Sequence, residues 1–173
     1  MRSWFQRTRL SEFEQKIVNN VDKHGCHISA VFDPDGGEAS FAYSVGFTKT
    51  LDRVSGPNSP EVIAFGLPND VYGPAINELL AMCAAGFQLA EGERIPQFFG
   101  DYDCIVRMVH QSWIEEAYFN SAIWYHRTQM GRDFQNAAML VWPDADHVLP
   151  WEEGCAEWVC AAQPPLYLPR LNA

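Results

Sequence analysis

At 173 residues, the chain is the size of one domain and long enough to bury roughly 70% of its unfolded surface without staples. A hydrophobic content of 47% excludes a disordered chain, and the lack of any apolar stretch near the roughly 20 residues of a bilayer crossing leads us to expect no membrane span. The net charge is -10, and the first ten residues hold three of the twelve cations, so no basic face is expected to meet nucleic acid.

Residues 1–10, MRSWFQRTRL, form a basic arm with Arg2, Arg7 and Arg9. No apolar core or small-residue cleavage site follows, which argues against a secretion signal and makes the cytoplasm the expected location. Ser11 and Glu14 make a capping box, Phe13, Ile17 and Val21 recur at helical spacing, and Gly25 supplies a stop, so a helix is predicted over 12–24. CHISAVF alternates as a strand, DPDGG provides turn chemistry, and SFAYSVGF returns as the second strand of a hairpin. Phe41, Tyr43, Val45 and Phe47 share a bulky face of that strand. Ser40, Ala42, Ser44 and Gly46 leave the other face nearly bare, open to close approach by a packed helix or by a ligand.

Thr48 to Pro60 is polar and rich in breakers, and reads as a mobile lid. Glu61 then opens VIAFGL, a continuous apolar run suited to a strand buried on both faces. Asn69 or Asp70 can cap a helix with Pro74 near its first turn and Ile76, Leu79, Leu80 and Cys83 facing the core up to Gly86. FQLAEGERIPQFF reads as a broken strand and CIVRMVH as a clearer one. A further helix over about 119–130 presents Phe119, Ala122, Ile123, His126 and Met130 as one stripe, and AAMLVWP is the last strand.

Strands that pair mainly through turns give an α+β fold: a single domain with a mostly antiparallel sheet of about five or six strands and about three packed helices. The domain is expected to run over 11–163, with a proline-rich tail at 164–173 lying extended on the surface. The five cysteines, an odd number in mostly apolar settings, read as buried free thiols. Neither a metal nor a cofactor is expected. There is no C-x-x-C, no phosphate loop and no dinucleotide fingerprint, and Ser44 lies outside a nucleophile elbow.

Four groups of residues stand in order: Ala42 to Phe47; Pro60-Glu61 with Gly66-Leu67-Pro68; Asn77 ahead of Gly86; and Trp142-Pro143-Asp144 with Pro150-Trp151-Glu152. In that order and spacing the chain resembles the bacterial domain-of-unknown-function family numbered 4262, over roughly residues 20 to 165. The resemblance implies a short, cytosolic, single-domain protein and carries no reaction with it. Phe47 stands where leucine is more usual, and Met139 where a glutamine is expected.

Candidate chemistry gathers around carboxylates and aromatic rings. Glu61 has no cation beside it in sequence and must find backbone N-H groups, Arg107, Arg127 or a ligand, because a buried charge without partners costs several kcal/mol. Asp144 and Glu152 stand beside Trp142 and Trp151, where desolvation would raise a carboxyl pKa. As structure, Asp144 would instead cap a turn while Trp151 covers the core. The expected function is a small-ligand- or protein-binding accessory module with a site of Tyr43, Ser44, Glu61, Trp142, Asp144, Trp151 and Glu152. The alternative is a hydrolase or lyase with Glu61 or Asp144 as general base and His126 as acid. A flavin-binding split barrel is a further alternative.

Overall fold

The computed structural model describes residues 9–171; Arg2 and Arg7 of the expected arm lie outside the described residues. The first helix, α1 (Glu12–His24), forms as its ends dictate. Ser11 accepts from the Glu14 N-H, the Glu14 side chain returns to the Ser11 N-H, and Gly25 closes the helix in the left-handed region at φ 87°.

Six strands then make one sheet in the order β1-β2-β3-β6-β5-β4. They are β1 (His27–Val31), β2 (Phe41–Val45), β3 (Glu61–Phe65), β4 (Arg94–Phe99), β5 (Tyr102–Met108) and β6 (Ala137–Val141). All neighbours run antiparallel except β3 and β6, which are parallel with Glu61 opposite Ala137. The expected hairpin is β1-β2, and β2 and β3 are neighbours with Tyr43 opposite Ile63.

Helices cover both faces. α1 and α4 (Glu116–Gln129) pack through Ile17, Val21, Phe119 and Ala122 onto Phe41, Tyr43, Val45, Ile63 and Met139. α2 (Phe47–Ser55), α3 (Asn69–Ala84) and α5 (Glu157–Ala162) cover Ala42, Val62, Ala64 and Leu140 on the other face. The period-two alternation of β2 thus sends bulky rings to one layer and Ala42 to the other. The bare face is filled by helix packing, with Tyr72 of α3 donating to the Ser40 carbonyl. The α+β class and the mostly antiparallel sheet hold, and among the described residues there are five α-helices, two more than expected.

Several expectations need correction. The proposed lid is mainly α2: Thr48 and Leu51 are buried, and only the turn after Gly56 is a connection. Phe47 belongs to that helix rather than to the bulky strand face. Pro74 is the sixth residue of α3, in its second turn rather than near its first, and α3 starts without a side-chain cap. The tail is pinned rather than merely laid on the surface, because Leu166 is fully buried and its carbonyl accepts from the His110 N-H. Cys26, Cys83 and Cys104 are buried and free, whereas Cys155 and Cys160 are free but only half-buried. Among the described residues no helix is long and apolar enough to cross a membrane.

The β2-α2 junction depends on Gly46. Its φ is 97°, and a Cβ there would meet Val21 Cγ1 of α1 at 2.6 Å. Both the left-handed backbone and the close helix approach therefore require glycine. Gly46→Ala should lower stability by about 2 kcal/mol or more, read as a lower urea midpoint at unchanged m-value. Gly131→Ala, at φ 67° in open space, should cost clearly less; equal losses would remove the packing component.

Candidate functional site

The β2-α2 turn exposes a local problem that a distant residue solves. Gly46 offers α2 no side-chain cap, so the first N-H groups of the helix need acceptors from elsewhere. Glu61, at the start of the neighbouring strand, supplies them. Its Oε1 accepts from the Gly46 N-H at 2.9 Å and the Thr48 N-H at 3.4 Å, while Oε2 accepts from the Phe47 N-H at 3.0 Å. A carboxylate at a helix N-terminus is also favoured by the positive end of the aligned peptide dipoles.

Ser44 completes the clamp from β2. Its hydroxyl donates to Glu61 Oε2 at 2.6 Å and accepts from the Val62 N-H at 2.8 Å. With Glu61 0% exposed, its oxygens meet these three N-H groups and the Ser44 hydroxyl, while the Thr48 hydroxyl, 3.3 Å from Oε1, gives its one hydrogen to the Ser59 carbonyl at 2.7 Å. The charge is felt nearby: burial first, and then Glu61, push the Cys26 thiol up to about 12.

The remaining neighbour is His126, whose Nε2 lies 3.0 Å from Glu61 Oε1. It reaches that point because Tyr43 accepts the Ser121 N-H at 3.0 Å, tying α4 to β2 beside a kink at Phe119, and because Phe134 packs edge-on to the imidazole at 4.9 Å. An ionised carboxylate can only accept, so Nε2 must carry the hydrogen. Neutral His126 therefore holds a lone pair on Nδ1. No protein group among the described residues bonds to Nδ1. The ring forms part of the wall of a polar pocket of about 70 Å³, between Thr48 and the 57–59 turn on one side and residues 132–136 on the other.

Of the residues singled out in the sequence, Glu61, Ser44 and His126 come together here. Tyr43 is adjacent in the chain but points into the α1/α4 layer as an anchor. Trp142 and Asp144 lie beyond the other end of β6, Glu152 lines a different pocket, with Pro143 and His147, and Trp151 lies against Arg107 of β5. β6 runs parallel to β3 and carries Trp142 and Asp144 about 13 Å or more from Glu61 at ~3.3 Å per residue. The expected single cavity therefore divides into separate places. Nor do Arg107 and Arg127 serve Glu61; they pair with Glu91 and Asp133.

At the far end Asp144 organises a loop. Oδ1 accepts from the Asp146 and Val148 N-H groups at 2.9 Å each, and Oδ2 from the Ala156 N-H at 2.8 Å. The backbone N-H groups of Val148 and Ala156, followed by Asp146, hold its carboxyl below the usual range. This is the opposite of the upward shift expected from desolvation. Trp142 is buried and donates from Nε1 to the Phe65 carbonyl, and Glu152 accepts the Leu149 N-H. Trp151 does not cover the core; it is exposed, and Arg107 lies over its ring and that of Tyr167.

Sequence reasoning missed the α2 N-terminus and the pocket residues Asn58, Ser59, Arg132 and Asn136. The usable signal was Gly46 followed by Phe47 and Leu51 at helical spacing, with no Ser, Thr, Asp or Asn in the cap position. Such a helix start requires an acceptor from outside its own segment.

Glu61→Ala should cost about 3–5 kcal/mol, since it strips a buried network of its only charge acceptor; a urea unfolding loss below about 1 kcal/mol would contradict the clamp. Asp144 behaves differently with pH. Its folded-state pKa is lowered, so its stabilisation is complete above the ordinary carboxylate range and disappears as pH falls through the folded value. The stability difference between the wild type and Asp144→Asn should be largest near neutrality and shrink below about pH 4.

The family model described as "Domain of unknown function (DUF4262)" matches residues 20–156 of the chain. No match is found among curated proteins or among solved structures.

Proposed function

Because the chain belongs to the DUF4262 family, whose description assigns no activity, its own geometry has to supply the function, and we propose that it is a small-ligand-binding module centred on His126. The observation that carries this proposal is the unmatched imidazole nitrogen. His126 is 3% exposed, its Nε2-H is committed to Glu61, and Nδ1 is left as an acceptor beside a polar cavity. Nδ1 has no protein partner among the described residues yet is not sealed from solvent, so a donor on a ligand can take the place of water there.

Within this site Glu61 and Ser44 are positioning residues. Glu61 selects the tautomer and orientation of the ring, and Ser44 holds Glu61. The hydrolase or lyase alternative is not favoured, because its second carboxylate, Asp144, is at the opposite end of the sheet. Ser44 is also aimed at the carboxylate rather than at the imidazole, which argues against a serine nucleophile. The flavin alternative gains no support here, since about 70 Å³ is far below the roughly 300 Å³ or more of cavities that enclose cofactor-sized ligands.

Amide NMR spectra of the full chain, titrated separately with small carboxylates, amides, alcohols and amines, test the proposal. At least one class should shift Thr48, Ser59 and Asn136 together, and His126→Phe should abolish those shifts while leaving the fold intact. Shifts confined to the Asp144–Ala156 loop, or unchanged by His126→Phe, would contradict it.

A further inference from the structure

We propose that the group bound in the His126 pocket is a small oxyanion, a carboxylate or a phosphate, held between the Arg132 guanidinium and His126 Nδ1. This rests on the ligand-binding role of the pocket and names the chemistry it takes.

The first observation is the state of Arg132. The chain has 22 acids against 12 lysines and arginines, so an inward-placed arginine would be expected to find a carboxylate. Arg94, Arg107, Arg127 and Arg170 do, pairing with Asp103, Glu91, Asp133 and Glu115. Arg9 and Arg53 are exposed to solvent. Arg132 is half-buried, lines the pocket, and has no ion-pair partner among the described residues. Even the adjacent Asp133 is taken by Arg127, at 3.3 Å. A planar guanidinium left free at a cavity wall is suited to a carboxylate or phosphate, whose oxygens match its fork of donors.

The second observation is Nδ1 of the largely buried His126, which bonds to no protein group among the described residues and is not sealed from solvent. As an acceptor it would repel an anion, but one proton turns it into a donor. The resulting imidazolium would stand between the bound oxyanion and Glu61, with a negative group on each side of the ring. The charged groups facing the ring are Glu61 from β3 and Arg132 and Asp133 from the turn after α4. From α2 and the 57–59 turn, and from Gln135 and Asn136, only uncharged groups reach the pocket. Anion binding should therefore be accompanied by uptake of one proton at His126.

Size limits the choice further. A volume of about 70 Å³, against about 30 Å³ for each water in the liquid, admits the headgroup alone, and any larger remainder of the ligand would extend into solvent.

Isothermal titration calorimetry of the full chain with inorganic phosphate and, separately, with acetate tests this, each in two buffers of different ionisation enthalpy. His126 ring nitrogens are followed by NMR in parallel, with acetamide as the neutral counterpart of acetate. At least one anion should bind, with a heat that differs between buffers as one proton taken up requires, and phosphate-only or acetate-only binding would identify which oxyanion the site prefers. Arg132→Gln should weaken that anion about tenfold or more, the usual scale for losing a charge-assisted contact, at an unchanged unfolding midpoint. His126→Gln should abolish the proton uptake. Anion binding that is as tight in Arg132→Gln as in the wild type overturns the assignment. Acetamide that shifts His126 while neither anion does also overturns it but leaves the ligand-binding pocket standing; if none of the three probes shifts His126 the oxyanion assignment falls, and the ligand-binding reading falls with it when alcohols and amines also leave Thr48, Ser59 and Asn136 unmoved.

Discussion

A carboxylate sealed from water must be surrounded by donors, and Glu61 gathers them from β2, from the first turn of α2 and from α4. The rest of the site follows from that requirement. The strand that carries Glu61 is buried on both faces, so the charge can only be satisfied by neighbours that come to it. Ser44 is one residue from the end of β2, Gly46 has no side chain to obstruct its own N-H, and α2 begins with its uncapped amides aimed at the carboxylate. The same acid that starts a helix also fixes an imidazole, and so one interaction joins the stability of the β2-α2 junction to the chemistry of the cavity beside it.

The two ends of the sheet show how environment separates carboxylates with similar sequence prospects. Glu61 has one positional duty, closing the α2 N-terminus, and one outward consequence, the orientation of His126. Asp144 meets three N-H groups from its own loop and has no imidazole within its hydrogen bonds. Both are buried acids with their lone pairs used, yet only one passes its constraint on to a side chain with an unused atom facing a cavity. Burial by itself therefore does not distinguish a site from a corner; the difference is whether the satisfied group leaves another group unsatisfied.

Much of the fold was legible where its causes are local. Ser11, Glu14 and Gly25 specify both ends of α1 within one segment, and Asp144 with the Trp142-Pro143 pair specifies a turn within a few residues. The alternation of Phe41, Tyr43 and Val45 against Ala42 sorts β2 into two layers. What escaped is non-local. α2 looks like a breaker-rich lid because its cap is 15 residues away from Gly46, and the pair at the centre of the site is separated by 65 residues. That Arg132 has no ion-pair partner among the described residues is a matter of which acids choose other partners, a choice made only by the folded chain. Trp151, expected in the ligand site or else over the core, presents its flat ring to Arg107 at the surface.

The central claim is that Glu61 fixes His126 with hydrogen on Nε2 and a free lone pair on Nδ1. Long-range nitrogen-15 NMR of the histidine rings, recorded above the pH at which histidines are charged, reads this directly. His126 should show the protonated-Nε2 tautomer, with slow exchange of that hydrogen with solvent. A ring protonated at Nδ1, or one averaging between both tautomers, would mean that Glu61 does not hold it, and the account would be wrong at its source.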